Sequence, residues 1–245
     1  MKTSPFLFAV AFLGLLSSAA MSAVVVNADF SRDISGSNPN PGGNPAPVLY
    51  TSTGPAPDTG TTWNDLQVPL TGAGSSVPAG HVFSTLNASD GSSTGVSITL
   101  TGGFYRSFNS GSAAPGTVAA LQNDRVFSRN GDIATLTITG LNTTDTHDIY
   151  LIGSGDFNTN FTIGATTKNV DGGSHDGDWT LGDEYTSFTG LTTGTGSIVI
   201  TIQDGIAPIN TFGVISGLQI VSVPEPSSTT LLGLGGLGVL LRRRR

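Results

Sequence analysis

Short runs in which apolar and polar residues alternate recur along this 245-residue chain. Val96-Ser97-Ile98-Thr99-Leu100-Thr101 has period two, the spacing of a strand that buries one face. Val24–Phe30, Ile133–Thr139, His147–Ile152, Phe161–Ile163, Tyr185–Phe188, Ser197–Ile202 and Phe212–Val221 repeat the theme. Gly, Asn and Asp clusters separate these runs, as turn chemistry requires. Only Pro115–Asp124 has the spacing of a short helix, through Val118, Leu121 and Gln122. Ser35–Pro47 and Thr71–Ala79 lack periodicity and predict exposed loops. Many short strands with frequent turns predict an all-β fold, a single β-sandwich of jelly-roll type.

Both ends break the pattern. Lys2, an apolar run over Pro5–Leu16 and small residues at Ser17–Ala20 have the three-part form of a secretory signal peptide. Residues 1–23 are therefore set apart from the fold, with cleavage after Ala20, or after Ser22 or Ala23. At the other end, Ser228–Leu241 is uncharged and mostly apolar, and Arg242, Arg243, Arg244 and Arg245 follow it. A helix of that length spans roughly 21 Å, against a bilayer core of about 30 Å. Gly233, Gly235, Gly236 and Gly238 lower its helix propensity by about 1 kcal/mol each. The segment predicts a short transmembrane helix suited to transient insertion, with the arginines held on the cytoplasmic side.

Pro224-Glu225-Pro226, the Gly/Leu-rich apolar span and the final arginines together resemble the PEP-CTERM sorting signal of Gram-negative bacteria. The resemblance covers about the last twenty residues. It implies export, processing near Pro224-Glu225-Pro226 by an exosortase, and a link to exopolysaccharide. The expected location is the cell surface or extracellular matrix, with a precursor held in the inner membrane by the C-terminal segment. The expected partners are exosortase, the secretion machinery and polysaccharide. The domain division that follows is 1–23, 24–223 and 224–245.

Composition bounds the middle region. It contains no cysteine, so no disulfide can stiffen it. Five basic residues (Arg32, Arg106, Arg125, Arg129, Lys168) face sixteen acidic ones, so residues 24–223 carry a net charge near −11. Such a surface repels nucleic acid and anionic membranes, and it admits cations and neutral sugars. Three segments of the body are similar to jelly-roll domains of planctomycete and verrucomicrobial surface proteins, which are themselves similar to galactose-binding-like and carbohydrate-binding modules. They are Ala56–Asp65, Leu136–Leu141 with His147–Gly153, and Gly213–Val221. This resemblance supports the fold and assigns no binding residue.

Two clusters carry candidate chemistry. Asp171, Asp176 and Asp178 lie within eight residues of a Gly-rich loop and could wrap calcium, a cation that prefers oxygen ligands. Solvated turn chemistry explains the same residues, and no other cofactor is indicated. Trp63 and Trp179 could stack sugar rings on their faces, provided both are exposed and coplanar. Burial in the sandwich core is the competing reading for each. Catalysis finds little support. Residues 24–223 hold a single glutamate, Glu184, and His81, His147 and His175 lack metal-motif spacing. A strand-start position at the surface or an edge accounts for His147. The expectation is a non-enzymatic surface or matrix protein. A polysaccharide-degrading or -modifying enzyme and a purely structural coat protein are the alternatives.

Overall fold

The structure is a computed structural model. It describes residues 23–32, 50–57, 60–68, 76–108, 117–129, 131–154, 157–171, 178–205 and 212–225. The signal-peptide and tail-helix expectations fall on residues 1–22 and 226–245, outside the described residues. Among the described residues no helix is long and apolar enough to cross a membrane. Val24–Val223 form one compact unit.

Fourteen strands and one short helix make up the described body. The first half contains β1 (Val24–Arg32), β2 (Asn64–Val68), β3 (His81–Phe83), β4 (Ser97–Gly102), β5 (Tyr105–Phe108), α1 (Val118–Asn123) and β6 (Asp124–Phe127). The second half contains β7 (Ala134–Thr139), β8 (Asp145–Ile152), β9 (Thr159–Ile163), β10 (Thr166–Val170), β11 (Tyr185–Leu191), β12 (Ser197–Asp204), β13 (Val214–Ile215) and β14 (Gly217–Pro224). The runs picked out by alternation all lie on strands. Those missed are short or polar: β2, β3, β6 and β10 hold few apolar residues each. The Phe212–Val221 run divides at Ser216 into β13 and β14, which join different sheets.

One sheet has the order β11-β8-β14-β1-β2 and the other β10-β9-β12-β7-β4-β3. From β7 onward the chain crosses repeatedly between them, since β8, β11 and β14 lie in the first while β7, β9 and β12 lie in the second. This wiring makes a jelly-roll sandwich. Inward residues of both sheets share one core, with Phe30, Leu66, Ile149, Leu151, Leu218 and Ile220 facing Ile98, Leu100, Leu136, Ile138, Phe161 and Ile200. Burial follows the sequence alternation, buried then half-buried through β7. A third, three-stranded sheet, β13-β6-β5, completes the body.

The outer faces of the two main sheets differ. On the five-stranded sheet the outward residues of β1 and β14 are buried: polar Asn27, Asp29, Ser31 and Gln219, and apolar Val25 and Val221, which pack with Ala56. The segment 50–57 lies against them, with the Tyr50 N–H donating to Asp29 Oδ2 at 3.0 Å and the Ala56 N–H to Gln219 Oε1 at 2.8 Å. On the six-stranded sheet the outward residues are threonine, serine, asparagine, glutamine and valine. Thr167, Thr162, Thr201 and Thr135 stand opposite one another across β10, β9, β12 and β7. The next row is Val199, Thr137, Thr99 and Val82 across β12, β7, β4 and β3.

Candidate functional site

The three-stranded sheet carries the cleft. Arg125 and Phe127 are two residues apart on β6, so both side chains project from one face. Cross-strand pairing sets Phe127 beside Val214 of β13 and Tyr105 of β5. Phe212, just before β13, meets Phe127 edge-on at 5.1 Å between centroids, and Phe157 meets Phe212 at 5.9 Å. Tyr105 stacks on the far side of Phe127 at 5.9 Å. The ring row has an arginine at each end. The Arg129 guanidinium lies 4.8 Å over Tyr105, and that of Arg125 lies 4.5 Å over Phe157.

Arg125, Phe127, Phe157, Phe212 and Val214 line a partly open cleft of about 160 Å³. The arginine is held in place: its Nη1 donates to Ser154 Oγ at 2.6 Å, and the fully buried Ser154 hydroxyl donates to the Gln122 carbonyl at 2.9 Å. A fixed guanidinium presents several N–H donors in a planar fork, and the phenyl rings beside it offer apolar faces. The cleft suits a small ring with an apolar side and hydrogen-bond acceptors at its rim. Sequence reasoning did not single out Phe127, Phe157 or Phe212, which lie far apart along the chain. The alternation Arg125-x-Phe127 was the one local signal.

The predicted tryptophan platform has a different geometry. Trp63 is 5% exposed, and its indole N–H donates to the Ser52 carbonyl at 2.8 Å. Tyr50 stands edge-on to Trp63 at 4.9 Å and to Trp179 at 6.3 Å. Trp179 is half-buried; its N–H donates to the Thr53 carbonyl at 3.2 Å. The structure does bring the two tryptophans together, around Tyr50, but as an edge-to-face brace that fastens segment 50–57. Trp63 is enclosed, so it offers no face to a ligand. Only Trp179 keeps part of its surface open.

The predicted calcium loop is described only at its ends. Asp171 and Asp178 are exposed there, and Asp176 lies outside the described residues. Among the described residues no three His, Cys, Asp or Glu side chains gather as a metal set. Glu184 is buried and closes the turn after this loop, its Oε2 accepting the Thr180 N–H at 2.8 Å. His147 is not at the surface. It is fully buried, with Nδ1 2.9 Å from Ser222 Oγ and Nε2 3.0 Å from the Asn142 carbonyl. A neutral ring satisfies both partners when Nε2 donates to the carbonyl and Nδ1 accepts from the hydroxyl. Gly91-Ser92-Ser93-Thr94-Gly95 has the letters of a nucleophile elbow, G-x-S-x-G. It occupies an exposed turn with no helix after it, so the strained strand-to-helix corner that activates such a serine is missing.

The sorting motif begins where β14 ends. Val223 is 41% exposed, Pro224 is half-buried and Glu225 is exposed. Pro226 and Arg242–Arg245 lie outside the described residues.

By its fold the body is an all-β sandwich. Residues 222–245 match the PEP-CTERM protein-sorting motif. The chain therefore carries a PEP-CTERM tail, which implies an exported protein sorted to the cell surface by an exosortase. No curated protein matches the sequence. Among solved structures, protein YXIM of Bacillus subtilis aligns at 12% identity and a TM-score of 0.41, over 82% of this chain and 40% of that one. The CBM36-1 domain of a multidomain xylanase from the hindgut metagenome of Trinervitermes trinervoides aligns at 17% identity and a TM-score of 0.30. That match covers 51% of this chain and 95% of the other. An exo-beta-1,3-galactanase from Phanerochaete chrysosporium, solved with galactose, also aligns at 17% identity and a TM-score of 0.30, over 59% of this chain and 30% of that one.

Proposed function

We propose that this chain is an exosortase-processed protein of the cell surface or matrix, and that its sandwich contacts extracellular polysaccharide without chemically altering it. The observation that carries the reading is the sorting motif at 222–245, attached to the end of a β-sandwich strand. The cleft of Arg125, Phe127, Phe157, Phe212 and Val214 supports it. At about 160 Å³ it is smaller than the roughly 300–1,000 Å³ of drug-sized sites, and takes about one ring. Phenyl faces meet the C–H side of a sugar ring, and arginine N–H groups donate to its hydroxyls. The acidic body favours neutral sugars over uronates.

The test follows the full chain in a bacterium that makes an exosortase. The wild type is expected at the surface with its tail removed, as read by intact mass. The double variant Pro224→Ala, Pro226→Ala is expected to keep its tail and remain with the inner membrane. Equal processing and surface delivery of both proteins would refute the sorting step. Phe212→Ala is expected to weaken retention on the host's own exopolysaccharide about tenfold, and unchanged retention would remove the cleft from the reading.

A further inference from the structure

We infer that the outer face of the six-stranded sheet is a docking surface for a neutral polysaccharide chain. The inference rests on the polysaccharide reading above and names a second, larger surface for it. The observation is charge. A body with a net charge near −11 keeps this whole face free of ionised side chains among the described residues. The alternation of β4, β7, β9, β10 and β12 brings threonine, serine and asparagine outward, with Gln203 and the two valines of the second row. Soluble surfaces of this size ordinarily carry both signs of charge. Val82 and Val199 are 52% and 51% exposed and flank Thr99 and Thr137 in one row.

The geometry is repetitive. Hydroxyls in the row Thr167, Thr162, Thr201 and Thr135 recur once per strand, about 4.8 Å apart. Thr162 and Thr167 share a hydrogen bond of 2.8 Å, as do Thr101 and Thr137 at 3.2 Å. Each threonine sets a methyl beside a hydroxyl, so the face alternates apolar and hydrogen-bonding points, as an uncharged sugar chain does. A chain laid across the strands meets one such pair at every strand, and many weak contacts along one polymer add into useful retention.

Area argues against a second copy of this chain as the occupant. At about 4.8 Å between strands and about 6.7 Å between alternate residues, the outward positions cover roughly 500 Å². Two copies face to face would bury roughly 1,000 Å², short of the about 1,200–2,000 Å² of stable interfaces. The face also lacks the Trp, Tyr and Arg anchors that dominate such interfaces.

The experiment uses the full chain in detergent. The probes are an insoluble neutral glucan, a polyuronate resin and the host's own exopolysaccharide. The wild type is expected to be retained on the neutral glucan and to pass the polyuronate. Thr137→Glu and Thr137→Lys, which place opposite charges at the centre of the face, are both expected to lose about tenfold or more in retention. Thr192→Glu, which adds the same charge at an exposed site off the face, is expected to bind as wild type. Thr137→Val keeps the strand propensity and removes one hydroxyl, and is expected to fall between. Melting temperatures establish that each variant is folded.

Full retention by folded Thr137→Glu and Thr137→Lys would overturn the inference and leave the sorting and polysaccharide reading standing. A wild type that passes the neutral glucan but holds to the host exopolysaccharide would overturn the inference alone. A wild type that ignores every polysaccharide would overturn both. Self-association that Thr137→Glu abolishes, with glucan retention unchanged, would replace the polymer with a second copy.

Discussion

Replacing Gln219 by alanine should release the segment that covers the five-stranded sheet. Gln219 is fully buried, and both ends of its amide are in use. Oε1 accepts the Ala56 N–H at 2.8 Å, and Nε2 donates to Asn27 Oδ1 at 2.8 Å. Asn27 in turn donates from Nδ2 to the Thr62 carbonyl at 3.1 Å. The fit is close as well, since a Cβ built on Gly54 would lie 2.3 Å from Gln219 Oε1. Truncation leaves the Ala56 N–H and Asn27 Oδ1 buried without partners. At about 1–3 kcal/mol for each orphaned group, the expected loss is roughly 2–6 kcal/mol. That is a large part of the 5–15 kcal/mol that typically holds a domain together.

The protein supplies its own reporter. Its two tryptophans, Trp63 and Trp179, both donate to carbonyls of this segment, those of Ser52 and Thr53. Urea unfolding followed by tryptophan fluorescence therefore reads stability and local detachment together. Gln219→Ala is expected to lower the midpoint and to shift native-state emission to the red before the main transition. A stability change under about 0.5 kcal/mol, with native emission unmoved, would refute the role assigned to this amide.

Other substitutions test other parts of the structure. His147→Leu should cost about 0.5–1.5 kcal/mol for each hydrogen bond lost, to the half-buried Ser222 Oγ and to the carbonyl of exposed Asn142. Faster amide exchange at Val221–Val223, next to the sorting motif, would show that the histidine fastens the end of β14. Gly140→Ala should destabilise by at least about 2 kcal/mol, because residue 140 sits at φ +79° and its Cβ would fall 1.9 Å from the Gly95 carbonyl oxygen. A melting temperature within a degree of wild type would contradict that. Burial raises the Tyr50 phenol above its ordinary value of about 10. The folded state thus holds the neutral form, and stability falls as pH climbs past about 10, where the unfolded phenol ionises first. Tyr50→Phe should flatten this alkaline loss, at some cost near neutrality from the missing bond to the Thr53 carbonyl. Denaturant midpoints measured from pH 8 to about 11 compare the two slopes.

Alternation located the long strands because a sandwich strand with one buried face must alternate. The same rule missed β10, whose Thr166–Asn169 are all exposed at a sheet edge. It also extended a helix to Asp124, where β6 begins, because a four-residue strand is too short to show a period. Candidate sites were harder to read. Trp63 stands among Gly, Thr and Asn, neighbours that suit an exposed ring. Its burial comes from Tyr50 and Ser52, brought over it by the covering segment. His147 likewise opens a strand in sequence and is buried only because β14 and the 141–144 turn close around it.

The sequence by itself determined the fold class and the destination. Period-two burial is a property of neighbouring residues, and the sorting tail is recognised by the order of its parts along the chain. The tertiary structure decided the rest. Phe127, Phe157 and Phe212 form a cleft because three sheet and loop elements converge there. Gln219 pairs with Asn27 across 192 residues of chain. The threonine rows exist only when strands from four parts of the sequence align in one register. Each of these depends on register, and strand register is set by turns and by the shared core, through contacts that alternation along one strand cannot record.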